Sequence, residues 1–154
     1  MVSICIPSYN NLDLFKKCFN SVCEQTFTDF ELIISDDSTN NAIENFLLSQ
    51  TSINFKYFHH KIPLGSPSNW NFAIKQCQRK YIKILHHDDY YSDKEALSYF
   101  VKAMESNPNA VLGFSQTWVH YVSDNSMFLH KQTKRQINRI KIDPEFLFYR
   151  NVIG

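Results

Sequence analysis

The feature that most constrains this chain is an alternation of two periods. Residues 2–7 form a short apolar run closed by Pro7, after which Leu12, Phe15, Phe19, Val22 and Cys23 recur at helical spacing. Residues 30–35 (FELIIS) repeat the strand signature and lead to a short helical pattern carrying Ile43, Phe46 and Leu47. Residues 54–59 predict a third strand, joined through a loop with Pro63, Gly65 and Pro67 to a helix bearing Trp70, Ala73, Ile74 and Cys77. Residues 81–85 predict a fourth strand, and Ser92 with Glu95 then reads as a capping box ahead of Leu97, Phe100, Val101 and Met104. Residues 111–116 predict a fifth strand, and the polar, basic stretch 123–141 reads as a flexible loop. Each crossover helix has to pack back on the sheet. The expectation is therefore an α/β fold with a mainly parallel sheet covered on both faces, three layers in all.

With 154 residues, 44% of them hydrophobic, the chain can bury one core and not two, so residues 1–154 read as a single domain. Acids and bases are interspersed and the net charge is +1, which excludes nucleic acid as a partner held by bulk charge. No apolar run reaches the roughly 18–20 residues that span a bilayer, and the N-terminus enters the first strand without a basic leader. A cytoplasmic protein is expected. Cys5, Cys18, Cys23 and Cys77 contain no C-x-x-C pair, and three of them fall at apolar positions of a strand or helix. They read as buried free thiols in preference to a disulfide or zinc site.

In an open parallel sheet, ligands bind beyond the carboxyl ends of the strands. Here those ends read Pro7-Ser8-Tyr9-Asn10, Ser35-Asp36-Asp37-Ser38 and His86-His87-Asp88-Asp89-Tyr90. Asp36-Asp37 alone would read as a turn or helix cap, and Asp88-Asp89 as a solvated loop. Two acidic pairs on one rim repel each other and would repel a phosphate, unless a divalent cation is bound between them. Oxygen ligands suit Mg²⁺ or Mn²⁺, which typically take one or two carboxylates plus phosphate oxygens. A glycine-rich phosphate loop is missing, since the chain has three glycines and neither G-x-G-x-x-G nor a Walker pattern. His86 and His87, as neighbours on a strand end, would point to opposite sides and could not readily grip one ion together.

Four motifs, in order, carry a family resemblance: VSICIPSYN, QTFTDFELIISDDST, PLGSPSNWNFAI and YIKILHHDD. Together they resemble the nucleotide-sugar-binding part of family 2 glycosyltransferases, inverting enzymes with the Rossmann-like GT-A fold. The resemblance covers nearly the whole chain. It implies that Pro7, Ser8, Tyr9 and Asn10 line a base pocket, with the Tyr9 ring as a stacking surface. Asp36 and Asp37 would belong to the same nucleotide site, Asp37 accepting the ring N–H of a uracil or similar base. Asn71 matches the family's asparagine at the helix start, and Asp88 its metal-ligating aspartate, which would bridge Mg²⁺ or Mn²⁺ to the diphosphate. Asp89 would be a second ligand or cap the next turn. The chain departs from the pattern at His86, where an aspartate is usual, at Trp70, where a basic residue is frequent, and at Arg79, where glycine is usual. The glycine common after the second-strand aspartates is also absent. Trp70 reads as a core aromatic opening the helix in preference to a sugar contact.

The implied reaction transfers a sugar from a nucleotide donor, a UDP-sugar foremost, to a glycan or lipid-linked acceptor, as in surface polysaccharide assembly. The family's catalytic base lies farther along than residues 151–154, so it is expected beyond Gly154 and the chain reads as C-terminally truncated. The face so uncovered is a candidate surface for self-association or for a partner protein, which would make the chain a non-catalytic scaffold. The basic stretch 131–141 reads as a solvated loop, or alternatively as a contact with the inner face of an anionic membrane. A Mg²⁺-binding signalling receiver domain is the alternative from another class. It needs an acidic pair after the first strand, where this chain has Ser8-Tyr9-Asn10.

Overall fold

The computed structural model describes residues 1–121 and 123–142. Residues 151–154, the segment after which the acceptor-binding half was expected, lie outside the described residues. Contacts group the chain into two compact units, Met1–Glu105 and the part from Ser106 onward. One domain over residues 1–154 stands as a proposal.

The first unit contains β1 (Val2–Ser8), α1 (Leu12–Cys23), β2 (Phe30–Asp36), α2 (Ala42–Leu47), β3 (Phe55–His59), α3 (Ser68–Lys75), β4 (Tyr81–Ile84) and α4 (Ala96–Glu105). The strands form one sheet in the order β3-β2-β1-β4, and every neighbouring pair is parallel. This is the expected α/β fold.

Strand alternation decides which residues serve which layer. Val2, Ile4 and Ile6 of β1 and Leu32 and Ile34 of β2 face one side, where they pack with Phe15, Phe19 and Val22 of α1, Ile43 and Leu47 of α2, and Leu97 and Val101 of α4. Cys5 and Ile33 face the other side and meet Ala73 of α3, with Phe58 and Cys77 at the margin. Edge-on aromatic contacts tie the larger layer together: the Phe46 ring stands 6.1 Å from Phe15 and 5.6 Å from Phe19, and Phe55 stands 6.0 Å from Phe19.

The helix starts follow local chemistry. Asn11 caps α1, its side chain accepting the Leu14 N–H at 3.1 Å. The start of α4 differs from the expected Ser92 and Glu95 box. Asp93 accepts the Glu95 N–H at 2.8 Å, and Gln25, buried at the end of α1, accepts the Leu97 N–H at 2.9 Å. Asp93 thus takes the N–H that Ser92 was expected to cap, and a distant element satisfies the next free one, that of Leu97.

Two further expectations are corrected. Residues 111–116 are not a strand, and Val111 is fully exposed. The next strands are β5 (Thr117–Tyr121) and β6 (Ser126–His130), an antiparallel pair separate from the sheet of the first unit. The stretch 123–141 is not a loop either, because it supplies β6 and most of α5 (Lys134–Ile142). Asp124 accepts the Ser126 N–H at 3.0 Å, and Asn125 adopts φ 57°, a conformation asparagine tolerates. All four cysteines are free, Cys5 and Cys18 buried and Cys23 and Cys77 half-buried. Among the described residues no helix is long and apolar enough to cross a membrane.

Glu31 is the polar joint of the sheet's amino end. It accepts Ser3 Oγ at 2.6 Å from β1, the Gln78 N–H at 2.7 Å from the turn before β4, and Lys56 Nζ at 3.1 Å from β3. Burial works to raise its pKa, but these donors outweigh it and hold the carboxyl below the usual range. A folded-state pKa below the unfolded one gives stability that is present above the unfolded value, about 4.3, and lost as pH falls through the folded value. Urea unfolding should show Glu31→Gln less stable than the parent by about 1–2 kcal/mol at pH 7, the gap closing towards pH 3. A gap that widens with acid would contradict this account.

Candidate functional site

The carboxyl ends of the strands open into one concave pocket of about 670 Å³, formed within the first unit. The end of β1 supplies Pro7, Ser8 and Tyr9, and the residue after β2 supplies Asp37. The loop before α3 contributes Pro63, Gly65 and Ser66, and the first turn of α3 contributes Asn69 and Trp70. The turn after β4 adds His86, His87, Asp88 and Asp89. Asp37 and Asp88, expected on one rim, line the same pocket.

Three of the residues singled out from the sequence lie elsewhere, each for a structural reason. Asp36 is the last residue of β2 and is fully buried. It accepts hydrogen bonds from Ser8 Oγ at 3.1 Å, the Ser38 N–H at 3.0 Å, the Ser38 hydroxyl, and Tyr57 Oη at 2.8 Å. Burial, and then the bond to Asp36, push the Tyr57 hydroxyl well above its ordinary pKa, which keeps it a donor. Asn10 adopts φ 55° and joins two loops, its side chain accepting the Thr39 N–H at 2.9 Å and its own N–H donating to Ser38 Oγ at 2.8 Å.

Asn71 is exposed and does not line the pocket, whereas Asn69 is buried and does. Two helical positions differ by about 200°, so the two asparagines occupy opposite faces. Asn69 accepts the Ser35 hydroxyl and donates through Nδ2 to Ser35 O at 3.1 Å and Ser8 O at 3.4 Å. It thereby pins α3 to the ends of β1 and β2. A signal existed: Asn69, Ala73 and Cys77 recur every four residues, and a polar residue on a sheet-facing stripe needs an explanation.

Asp37 is buried, and each carboxylate oxygen takes one loop N–H, Leu64 at 3.1 Å and Gly65 at 2.8 Å. Each oxygen keeps a second acceptor position for a ligand. Gly65 has φ 72°, which a residue with a Cβ rarely adopts, so this lip of the pocket needs glycine.

Asp88 and Asp89 are adjacent and exposed on a turn closed by the Asp89 N–H to His86 O at 2.9 Å. Partial desolvation, and then the neighbouring charge of Asp88, hold the Asp89 carboxyl above the usual range, with Lys83, His86 and His87 opposing. Because β4 ends at Ile84, both histidines stand on this turn and both line the pocket, against the expectation that they diverge. Trp70 also departs from its expected core role. It is 37% exposed, and its ring stands edge-on to His86 with centroids 4.6 Å apart. Among the described residues no group of three or more His, Cys, Asp or Glu side chains could hold a metal ion without help. The donor set on this turn is two adjacent carboxylates, which suits a hard cation completed by phosphate oxygens and water.

A parallel sheet with helices on both faces and an acidic pocket at its carboxyl rim is the arrangement of a GT-A fold, the fold of the glycosyltransferases this chain resembles. A family model described as glycosyl transferase family 2 matches residues 3–152, and the chain belongs to that family. An uncharacterized glycosyltransferase of Rickettsia conorii is 34% identical over 130 residues, 83% of this chain and 20% of that protein. A poly(ribitol-phosphate) beta-glucosyltransferase of Bacillus spizizenii is 30% identical over 119 residues, 73% of this chain and 18% of that protein. Among solved structures, residues 1–349 of S. aureus TarS in complex with UDP-GlcNAc match with TM-score 0.62 and 24% identity, over 81% of this chain and 41% of that one. The mannosyltransferase PcManGT of Pyrobaculum calidifontis, in complex with GDP-Man and Mn²⁺, also matches with TM-score 0.62, at 18% identity over 80% of this chain and 36% of that one. The chain spans about a fifth to a half of the length of the curated relatives it matches. Membership of this family sets aside the receiver-domain alternative.

The two asparagines give a direct check on the geometry. Thermal or urea unfolding of Asn69→Ala should show a loss of about 1–3 kcal/mol, because buried partners are left unpaired. Asn71→Ala should stay within about 0.5 kcal/mol of the parent. Equal losses in the two variants would contradict the assignment.

Proposed function

We propose that this chain binds a nucleoside diphosphate sugar, UDP-linked, together with Mg²⁺ or Mn²⁺, and serves the inverting transfer of its sugar to a glycan or lipid-linked acceptor. One observation carries the reading: the pocket is lined by the carboxylates Asp37, Asp88 and Asp89, with neither Lys nor Arg among the described residues that line it. A pocket of that charge accepts a diphosphate only through a bound cation. The UDP-GlcNAc, UDP and GDP-Man complexes of the structural neighbours, one of them with Mn²⁺, support the same ligand class.

In this reading Tyr9, 53% exposed at the end of β1, offers its ring face to the base. Pro7 and Ser8 form the floor, and the free acceptor positions of Asp37 meet the base N–H. Asp88, with Asp89 beside it, would hold the metal, which when bound supplies positive charge against the departing diphosphate. The acceptor hydroxyl attacks the anomeric carbon as the bond to the diphosphate breaks, and its proton needs a carboxylate base. We assign that base to a later segment, beyond Gly154 in this numbering. A role in surface polysaccharide synthesis, carried out in the cytoplasm at the inner face of the membrane, is part of the same proposal; the name of the B. spizizenii relative supports a polymeric acceptor.

Isothermal titration with UDP tests the core of this. Binding is expected with Mn²⁺ and should be at least tenfold weaker without it. Asp88→Asn should remove the metal-dependent part and leave the unfolding transition unchanged, since the residue is exposed. Tyr9→Phe, which keeps the ring, should change affinity less than about threefold. Unchanged affinity of Asp88→Asn at saturating Mn²⁺ would rule that residue out as the ligand.

A further inference from the structure

We propose that Trp70 is the platform on which the donor's sugar rests, and that His86 holds its ring in place. The inference depends on the donor reading above and concerns the part of the ligand that the nucleotide does not explain. Along α3, Asn69 and Ala73 lie one turn apart and both are buried. Trp70 is about 100° further round, away from that face. It is 37% exposed, and it lines the pocket. About a third of the residue's surface therefore stays in water when the pocket is empty, and covering it would add to the burial already gained on folding. Its position is explained by a ligand that covers it.

The neighbouring residues say which part of the ligand that is. The Trp70 ring stands edge-on to His86, at 4.6 Å between centroids and 64° between planes. His86 is two residues before Asp88, so the indole is anchored beside the turn that would carry the metal. The phosphate nearest the sugar is the one from which the glycosidic bond departs. A flat apolar face next to the group that binds this phosphate therefore meets the sugar ring, while Tyr9 and Asp37, on the β1 and β2 side, remain for the base. A pyranose has an apolar face of C–H groups that gains by leaving water for an aromatic surface. The pocket's three carboxylates, with no Lys or Arg among the described residues that line it, disfavour a charged sugar such as a uronate. The substrate class is a neutral hexose or N-acetylhexosamine in pyranose form.

The chain has two tryptophans, Trp70 and Trp118, so in a Trp118→Phe background the indole fluorescence reports on Trp70 alone. That protein would be titrated with UDP, UDP-glucose, UDP-N-acetylglucosamine and UDP-glucuronate in the presence of Mn²⁺, and the affinities of Trp70→Ala, Trp70→Phe and His86→Ala would be measured by calorimetry. At least one neutral donor should perturb the Trp70 emission more than UDP does. Trp70→Ala should weaken that donor about fivefold to tenfold and UDP less than twofold. Trp70→Phe should retain most of the donor affinity, which keeps the test valid if the alanine variant misfolds, and His86→Ala should lose part of it. Equal weakening of UDP and the donor, no weakening of either, UDP-glucuronate binding as tightly as the neutral donors, or UDP binding with no neutral donor bound would each overturn the inference. A parent protein that binds neither UDP nor any donor would overturn the nucleotide reading itself, a distinct result.

Discussion

The geometry of the pocket depends on a carboxylate that is not in it. Asp36 is fully buried at the end of β2, and its hydrogen bonds draw in Ser8 from β1, Tyr57 from β3 and Ser38 from the following loop. A carboxylate so placed is tolerable only when its oxygens are supplied with donors, so the three strand ends are fixed relative to one another. Strand-like alternation then turns the next side chain, Asp37, outward to the pocket, where it takes the Leu64 and Gly65 N–H groups. One acid organises the rim from inside, and the other fastens the lip from outside.

The asparagines extend the same logic. Asn69 reaches the backbone at the ends of β1 and β2, which sets the angle at which α3 arrives and therefore where Trp70 stands. Asn10 connects the two loops that follow β1 and β2. The pocket is thus held by neutral amides and hydroxyls around acidic groups. Among the described lining residues there is no Lys or Arg, which is the basis for proposing a bound cation.

The strands and helices of the first unit were legible because each has a single buried face that imposes its period on the sequence, as in Val2, Ile4 and Ile6 or Phe15, Phe19 and Val22. The hairpin was not. Residues 111–116 carry an apolar run but find no partner strand, whereas the Asp124-Asn125 turn signal, which was present, sits inside a polar stretch that read as a loop. Pairing is a tertiary property, and local pattern does not report it. In the site, the acidic residues announced themselves by chemistry and strand position. The division of labour between Asp36 and Asp37 did not, because it depends on which neighbour points inward. The family pattern indicated Asn71, yet the helix presents Asn69 to the pocket, a difference of two positions that only the rotation of α3 resolves. Trp70 looked like core material because its hydrophobicity is visible in the sequence and its exposure is not.

The place of β1 in the sheet also has a consequence for how the chain comes into being. All seven of its residues are buried, and it is hydrogen-bonded along both edges, on one side to β2 and on the other to β4, where Val2 meets Tyr81. Of the four strands of this sheet, β1 precedes the others in the chain yet is paired on both sides only once β4 has followed. Elongation at about 5–20 residues per second leaves one of its edges open for several seconds after β2 has docked. Through that interval an apolar strand with unpaired amides is a template for other nascent chains, and the late arrival of β4 is what closes it.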